Sequence, residues 1–301
     1  MNLRLSGHRT GRQAAPRRAF TLIELMVVIL IIAILASLLL VAVQGAMARA
    51  KEARTIIEID QMAQALEAYR SKYGDYPPIG VANGSETAAQ RRGRIQAHLI
   101  RAFPRYSASS DVLDDLVLLT PPEALVFWLG GMPISSGTGY AVEGFSANVG
   151  APFVPSNIGA WNPDNVPVAN RVEQRTTPFF SFDPRRLVNV AGTAFPEYVP
   201  HGGTTPYAYF PATSYYPANV IAQWTAPNGS VAVPYRLTTG VDGITSNWAS
   251  PGTFQIIAPG ADDSFGGAAG VRQFPSGIGY GTDDEDNLVN FARTRLGNAR
   301  P

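Results

Sequence analysis

An acidic residue stands near the start of a long apolar stretch of this chain. Glu24 lies four residues after Phe20, and the residues from Leu25 to Val43 carry no charge. A carboxylate inside such a segment costs on the order of 2.5 to 3.5 kcal/mol at mid-membrane on insertion scales, and less near the interface. Residues kept at that cost are usually functional. The chemistry open to Glu24 is charge pairing, so we expect a cationic partner.

The apolar stretch has the length of a membrane span. At about 1.5 Å per residue, 25–43 roughly matches the hydrocarbon core of a bilayer. Residues 1–19 contain five arginines and no acidic residue, namely Arg4, Arg9, Arg12, Arg17 and Arg18. By the positive-inside rule, we expect 1–19 to be a cytoplasmic leader, about 20–43 to be the membrane part, and the rest to lie outside.

The block Phe-Thr-Leu-Ile-Glu-Leu-Met-Val-Val-Ile at 20–29 follows a basic leader that ends in a small residue, Ala19. This block resembles the N-terminus of class III prepilins, the precursors of type IV pilins and of type II secretion pseudopilins. The resemblance implies cleavage between Ala19 and Phe20 by a prepilin peptidase, N-methylation of Phe20, and assembly into a filament through the N-terminal helix. Ala19 stands where the family usually has glycine.

The resemblance also gives Glu24 its partner. Cleavage would create an ammonium group on Phe20, which could approach the Glu24 carboxylate of a neighbouring subunit. Removing one partner of such a pair typically costs about 3 to 5 kcal/mol. The implied partners are the prepilin peptidase, other pilin or pseudopilin subunits, an inner-membrane assembly platform and a cytoplasmic ATPase. The implied location is the inner membrane, single-pass, with a periplasmic C-terminal domain that joins a pseudopilus.

Two alternatives use 1–48 as a signal or anchor. Residues 17–21 partly resemble a twin-arginine export signal, and Ala46-Met47-Ala48 has the form of a signal peptidase site. The chain would then be an exported or membrane-tethered binding protein or hydrolase. Glu24 interrupts the apolar run, and the run is long for a signal peptide, which favours the filament subunit.

The helix is predicted to continue beyond the membrane. Apolar residues recur at spacings of three and four, at Ile59, Met62, Leu66, Tyr69 and Tyr73, and there is no proline between Phe20 and Tyr76. Gly74, followed by Pro77 and Pro78, ends the pattern. We therefore predict one helix over 20–73, whose outer apolar stripe is core and is covered by a small antiparallel sheet.

Residues 74–301 are predicted to form an exported pilin-like domain of the α+β class. A helix is expected over about 86–103 with Ile95, His98 or Leu99 inward, and a capping box at Thr120 to Glu123 predicts another short helix. The Gly- and Pro-rich stretch at about 132–250 is interpreted as a large loop-rich insertion. Its aromatic residues, which we expect to close loops rather than bind sugars or proteins, include Tyr215, Tyr216, Trp224 and Trp248.

Acidic residues cluster near the C-terminus. The strand predicted at 253–258 leads to Asp262, and a second acidic turn contains Asp284 and Asp286. In order and position this resembles the end of the major pseudopilin, where such loops hold calcium, an ion that takes six to eight oxygen ligands. Asp262, Asp284 and Asp286 are the predicted ligands, with Asp263 and Asp283 as substitutes. A solvated acidic turn is the alternative.

Composition argues against several other classes of function. The chain has no cysteine and a formal net charge of +1, so disulfides and thiolate chemistry are absent and no long basic stripe is available to bind nucleic acid. There are three histidines, and the sequence contains no Gly-x-Ser-x-Gly elbow, His-Glu-x-x-His motif or P-loop. We predict a structural protein rather than an enzyme, with no catalytic residues and no cofactor for catalysis.

Overall fold

The computed structural model describes residues 20–80, 86–108, 110–135, 140–153, 174–189, 195–215, 222–237, 248–267 and 270–299. The chain divides into two compact units, one ending at Met47 and one beginning at Ala48. Ala19 and Tyr216 lie outside the described residues. The structure is of the α+β class, as predicted, with a long N-terminal helix and small sheets.

Helix α1 runs from Leu22 to Tyr73 without interruption. In the first unit its large apolar side chains between Leu22 and Leu40 are 46 to 75% exposed. Among the described residues, α1 is the helix that is long and apolar enough to cross a membrane. An apolar surface of this extent needs lipid or another protein to cover it, because soluble monomers rarely expose one.

In the second unit, α1 buries the predicted stripe. Ile59, Met62, Leu66 and Tyr69 are at most 1% exposed. Part of the cover is helical. The Tyr69 ring contacts His98 and Trp128, which lie on two other helices.

The end of α1 is fixed by local and distant bonds. Gly74 has a positive φ of 83°, and its N–H donates to the Arg70 carbonyl at 2.7 Å, as expected for a helix that ends at glycine. Beyond it, the carbonyls of two prolines accept buried side-chain hydrogen bonds. The Tyr209 hydroxyl donates to Pro77 at 2.9 Å and the Trp128 indole donates to Pro78 at 2.9 Å.

Three shorter helices follow: α2 over Ala88–Ala102, α3 over Ser110–Leu116 and α4 over Pro121–Gly130. The predicted cap of α4 is present, since the Glu123 carboxylate accepts from the Thr120 N–H at 2.8 Å. Every residue of α4 is buried. Helix α2 turns Ile95, His98 and Leu99 inward, which confirms the face predicted from the sequence.

The strands are short. They are β1 Pro133–Ser135, β2 Tyr140–Val142, β3 Leu187–Val188, β4 Glu197–Tyr198, β5 Ala208–Pro211, β6 Trp224–Thr225, β7 Val231–Ala232, β8 Arg236–Leu237, β9 Phe254–Ala258, β10 Gln273–Phe274 and β11 Leu288–Val289. The central sheet has the antiparallel order β11-β9-β5. Ala208 pairs with Ile257 and Leu288 pairs with Ala258. All five residues of β9 are buried, so this strand is the centre of the sheet.

The insertion packs its aromatic residues into the second unit. Trp224 and Trp248 are buried, and the Tyr215 and Trp248 rings stack with centroids 5.1 Å apart. These side chains therefore close loops, as predicted, and offer no exposed platform for a sugar. Together with β5 at the edge of the central sheet, they join the insertion to the core of the unit.

Candidate functional site

The predicted cleavage junction lies at the edge of the described chain. Ala19 is outside the described residues, and Phe20 is 81% exposed and precedes the first helical residue, Leu22. A backbone that is exposed and not helical can adopt the extended form that peptidases bind. The roles of Ala19 and Phe20 in cleavage and methylation stay predictions.

Glu24 and Thr21 form a local cap at the start of α1. The N–H and the hydroxyl of Thr21 each donate to Oε2 of Glu24 at 2.9 Å, and the Glu24 N–H donates to the Thr21 hydroxyl at 3.3 Å. This is the reciprocal pattern of a capping box, with Thr21 as N-cap and Glu24 as the third helical residue. A carboxylate is also favoured here by the positive end of the helix dipole.

The cap explains how a single subunit tolerates Glu24. Both bonds to the side chain end on Oε2, and the Glu24 side chain remains exposed. The carboxylate is therefore held in one orientation at the start of the apolar stretch and is still accessible. Such an arrangement can accept a cation from another molecule without first losing a tight partner within the helix.

Helix α1 passes through Gly45 without a break. A Cβ at this position would meet nothing within 4 Å, so no close approach requires glycine. Glycine lowers helix stability by up to about 1 kcal/mol relative to alanine. Gly45 is therefore a weak point in an otherwise continuous helix.

The outer part of α1 is held by a polar network that the sequence did not reveal. Glu58 accepts two bonds from the Arg186 guanidinium, at 2.7 and 2.5 Å. It also accepts from the hydroxyls of Tyr198 at 2.9 Å and Tyr207 at 2.5 Å. Burial raises the pKa of both tyrosines, and the Glu58 charge adds to this, so both remain neutral donors.

The only signal for this network in the sequence is the position of Glu58 beside the buried stripe. Its partners lie 128 to 149 residues away, so no local pattern identifies them. The Arg186 guanidinium also lies 4.3 Å from the centre of the Tyr198 ring. This network, which we call the Glu58 clasp (Glu58, Arg186, Tyr198 and Tyr207), fixes the insertion to α1.

Three arginines of α2 pair with acidic residues of the same unit. Arg94 contacts Glu86 through two bonds of 3.0 Å, and Arg101 contacts Asp75 at 2.7 Å. Arg92 contacts Asp114. These basic side chains are therefore engaged in internal ion pairs.

The predicted calcium ligands have different partners. Oδ2 of Asp286 accepts from the N–H groups of Ala261 at 2.5 Å and Asp262 at 3.2 Å, so it closes the loop that follows β9. A Cβ at Gly260 would lie 2.0 Å from the Asp286 carboxyl carbon, so this approach requires glycine. Oδ1 of Asp286 is buried and accepts no described hydrogen bond, which is compatible with a cation.

Asp284 already faces a positive charge, because its Oδ1 is 2.9 Å from the Arg272 guanidinium. The substitutes are also engaged: Asp263 accepts from the N–H groups of Thr204 and Thr205 at 2.9 and 3.1 Å, and Asp283 accepts from Ser264 at 3.2 Å. In the described part of the chain, no three histidine, aspartate or glutamate side chains are placed to hold one metal ion.

The carboxylates in these loops repel one another. Burial raises the pKa of Asp262, and the charges of Asp286 and Asp283 raise it further. A bound cation would relieve this repulsion. Calcium at Asp262, Asp284 and Asp286 therefore stays a prediction.

Comparison with known proteins agrees with the N-terminal resemblance. Residues 15–40 match the family of the prokaryotic N-terminal methylation motif. Over 78 residues the chain is 35% identical to a fimbrial protein of Neisseria meningitidis serogroup B (strain ATCC BAA-335 / MC58), which covers 26% of this chain and 46% of that protein. The chain thus spans about half the length of the curated relative it matches. No solved structure matches. The N-terminal segment of the chain therefore carries the prepilin-type methylation motif.

Proposed function

We propose that this chain is a structural subunit of a type II secretion pseudopilus or a type IV pilus-like filament, and that it assembles through α1. The observation that supports this most directly is the accessible Glu24 carboxylate, held by Thr21 at the start of an exposed apolar helix. The match of 15–40 to the methylation motif supports the same proposal.

The first step is processing. A prepilin peptidase would cut between Ala19 and Phe20, and the new Phe20 amine would then be methylated. Phe20 is exposed and lies outside the helix, so cutting there requires no unwinding of α1. The basic leader would be left in the cytoplasm, and the second unit would lie on the other side of the inner membrane.

The second step is addition to the filament. The Phe20 ammonium of one subunit would pair with Glu24 of its neighbour, which neutralises two charges in an apolar surrounding. Losing one member of such a pair costs about 3 to 5 kcal/mol, or a loss of more than about 100-fold in subunit affinity. Because the pair forms at one axial offset only, it would also set the register between subunits.

Between a type IV pilin and a type II secretion pseudopilin, the order of elements at the C-terminus supports a pseudopilin. Strand β9 leads into the loop that contains Asp262, and a second acidic turn precedes β11. The large insertion supports a minor or specialised subunit, because added bulk crowds a dense helical lattice. An assembly platform and an ATPase would be the cellular partners.

The test compares Glu24→Leu with Thr21→Val in the full chain. Glu24→Leu removes the charge and should still insert and be cleaved, but should enter sheared, sedimented filaments poorly. Thr21→Val removes the cap, worth about 1 kcal/mol, and keeps the charge, so it should assemble far better. In every processed chain, mass spectrometry should find N-methylated Phe20.

Two results would contradict the proposal. Equal assembly of Glu24→Leu and the wild type would show that Glu24 is a passive acid at the membrane interface. A mature chain that begins near Arg49 would instead support release by a signal peptidase, and would rule out the filament.

A further inference from the structure

A buried ion pair lies among the C-terminal loops of the second unit. Nε of Arg272 lies 2.9 Å from Oδ1 of Asp284, and the two side chains are 2% and 1% exposed. Burying two charges this completely is costly unless each finds further hydrogen bonds. The surroundings of the pair therefore show what it holds together.

The Arg272 guanidinium contacts oxygen atoms from three separate parts of the chain. Besides Asp284, it donates to the carbonyl of Val231 on β7 at 2.9 Å and to the carbonyl of Gly267 at 3.4 Å. A structural calcium ion would organise loops in the same way, by gathering carboxylate and carbonyl oxygens around one positive charge. Here a side chain supplies that charge.

Asp284 is fixed from the other side. Its Oδ2 accepts from the Gly281 N–H at 2.7 Å, and its Oδ1 lies 3.3 Å from the Tyr235 hydroxyl. Asn287 in turn donates to Tyr235 and to the Phe265 carbonyl, both at 3.2 Å. Burial raises the pKa of Asp284, and the Arg272 charge opposes this rise. A neutral residue at 272 would therefore leave a poorly compensated buried carboxylate.

The backbone at Gly266 also accommodates the ion pair between Arg272 and Asp284. Gly266 has a positive φ of 100°, and a Cβ there would lie 2.5 Å from Oδ2 of Asp284. A glycine is required, because the chain passes against the carboxylate in a conformation that side chains rarely adopt. The loop around 266 thus closes directly on Asp284.

We infer that Arg272 is a built-in cation that takes the place of a metal ion at Asp284 and fastens the insertion to the C-terminal loops. The exported unit would then keep this part of its fold in surroundings that contain no calcium. A calcium ion bound by Asp262 and Asp286 would occupy a different site, because those residues contact the loop after β9 and not Arg272.

The experiment uses the full chain in detergent micelles with EGTA, followed by tryptophan fluorescence during heating. All four tryptophans lie beyond residue 47, so the signal reports on the second unit. Arg272→Met should lower the melting midpoint by on the order of 10 °C. Arg272→Met combined with Asp284→Asn should lose clearly less than the sum of the two single variants.

The matched control is Arg185→Met, the same substitution at an arginine that is 88% exposed and pairs with Asp183. It should change the midpoint by no more than about 2 °C. If Arg272→Met melts like this control, or if the double variant shows strictly additive losses, the inference is wrong.

A second measurement covers the case in which Arg272→Met does not fold. The wild type and Asp284→Asn are heated with calcium chloride and with EGTA. We expect Asp284→Asn to leave the response to calcium chloride unchanged, whatever its size. A calcium-dependent rise in the wild type that disappears in Asp284→Asn would identify Asp284 as a metal ligand and overturn the inference.

Discussion

The buried histidine of α2 predicts how the second unit responds to acid. His98 is 5% exposed, and its Nε2 lies 2.8 Å from the Tyr69 hydroxyl. Its ring is stacked on Tyr69 and contacts the edge of the Trp128 ring, with centroids 5.1 Å apart. Burial lowers the pKa of His98 from 6.5 to about 4; the Asp75 charge opposes this, and the charges of Arg101 and Arg94 reinforce it.

The sign of the effect follows from proton binding. Between pH 6.5 and about 4 the unfolded chain binds a proton at His98 and the folded chain does not, so stability falls as the pH is lowered through this range. A difference of about 2.5 between the two pKa values corresponds to about 3 kcal/mol lost at pH 4, and the contribution is fully present above pH 6.5.

The assay is urea unfolding of the detergent-solubilised full chain, followed by tryptophan fluorescence from pH 7.5 to pH 4. His98→Gln cannot bind the proton, so its stability should fall by about 3 kcal/mol less than that of the wild type over this range. His201→Gln, at an exposed histidine, is the control and should follow the wild type. Parallel curves for His98→Gln and the wild type would refute the reasoning.

Two further predictions concern the second unit. Glu58→Gln should destabilise this unit by about 3 kcal/mol, because Arg186 loses its charge partner in a largely buried clasp. The control is Asp60→Asn, at an exposed carboxylate of the same helix, which should have little effect in the same urea assay. Equal losses of stability in the two variants would contradict the role of the clasp. If calcium binds at Asp286, calcium chloride at a hundredfold excess over Kd should stabilise the wild type by about 2.7 kcal/mol and should not stabilise Asp286→Asn. Identical melting curves with calcium chloride and EGTA would instead leave these carboxylates as a solvated turn.

The features that sequence reasoning predicted correctly depend on neighbours along the chain. The cap of α4 at Thr120 and Glu123 joins residues three apart, and the stripe from Ile59 to Tyr69 repeats with the period of the helix. Hydrogen bonds between near neighbours and the periodicity of a helix are fixed by backbone geometry, so a pattern of residue types suffices to predict them.

The acidic residues of the C-terminus show what local pattern cannot decide. The sequence does not distinguish Asp262, Asp284 and Asp286 as candidate ligands, and it predicts that all three bind one calcium ion. In the folded chain Asp284 is neutralised by Arg272, while Asp286 closes the loop after β9. Their roles differ because burial and the nearest opposite charge set the behaviour of a carboxylate, and both are properties of the packed structure.

The sequence by itself determined that the chain has an apolar N-terminal helix long enough to cross a membrane, with a carboxylate near its start, since length and hydropathy define that segment. Only the tertiary structure decided that Glu58 meets Arg186 across 128 positions and that Arg272 supplies the positive charge at Asp284. The physical reason is that such pairs are stable only when folding removes both partners from water and brings them within hydrogen-bond distance, and many other charged residues of the chain offer the same chemistry without that placement.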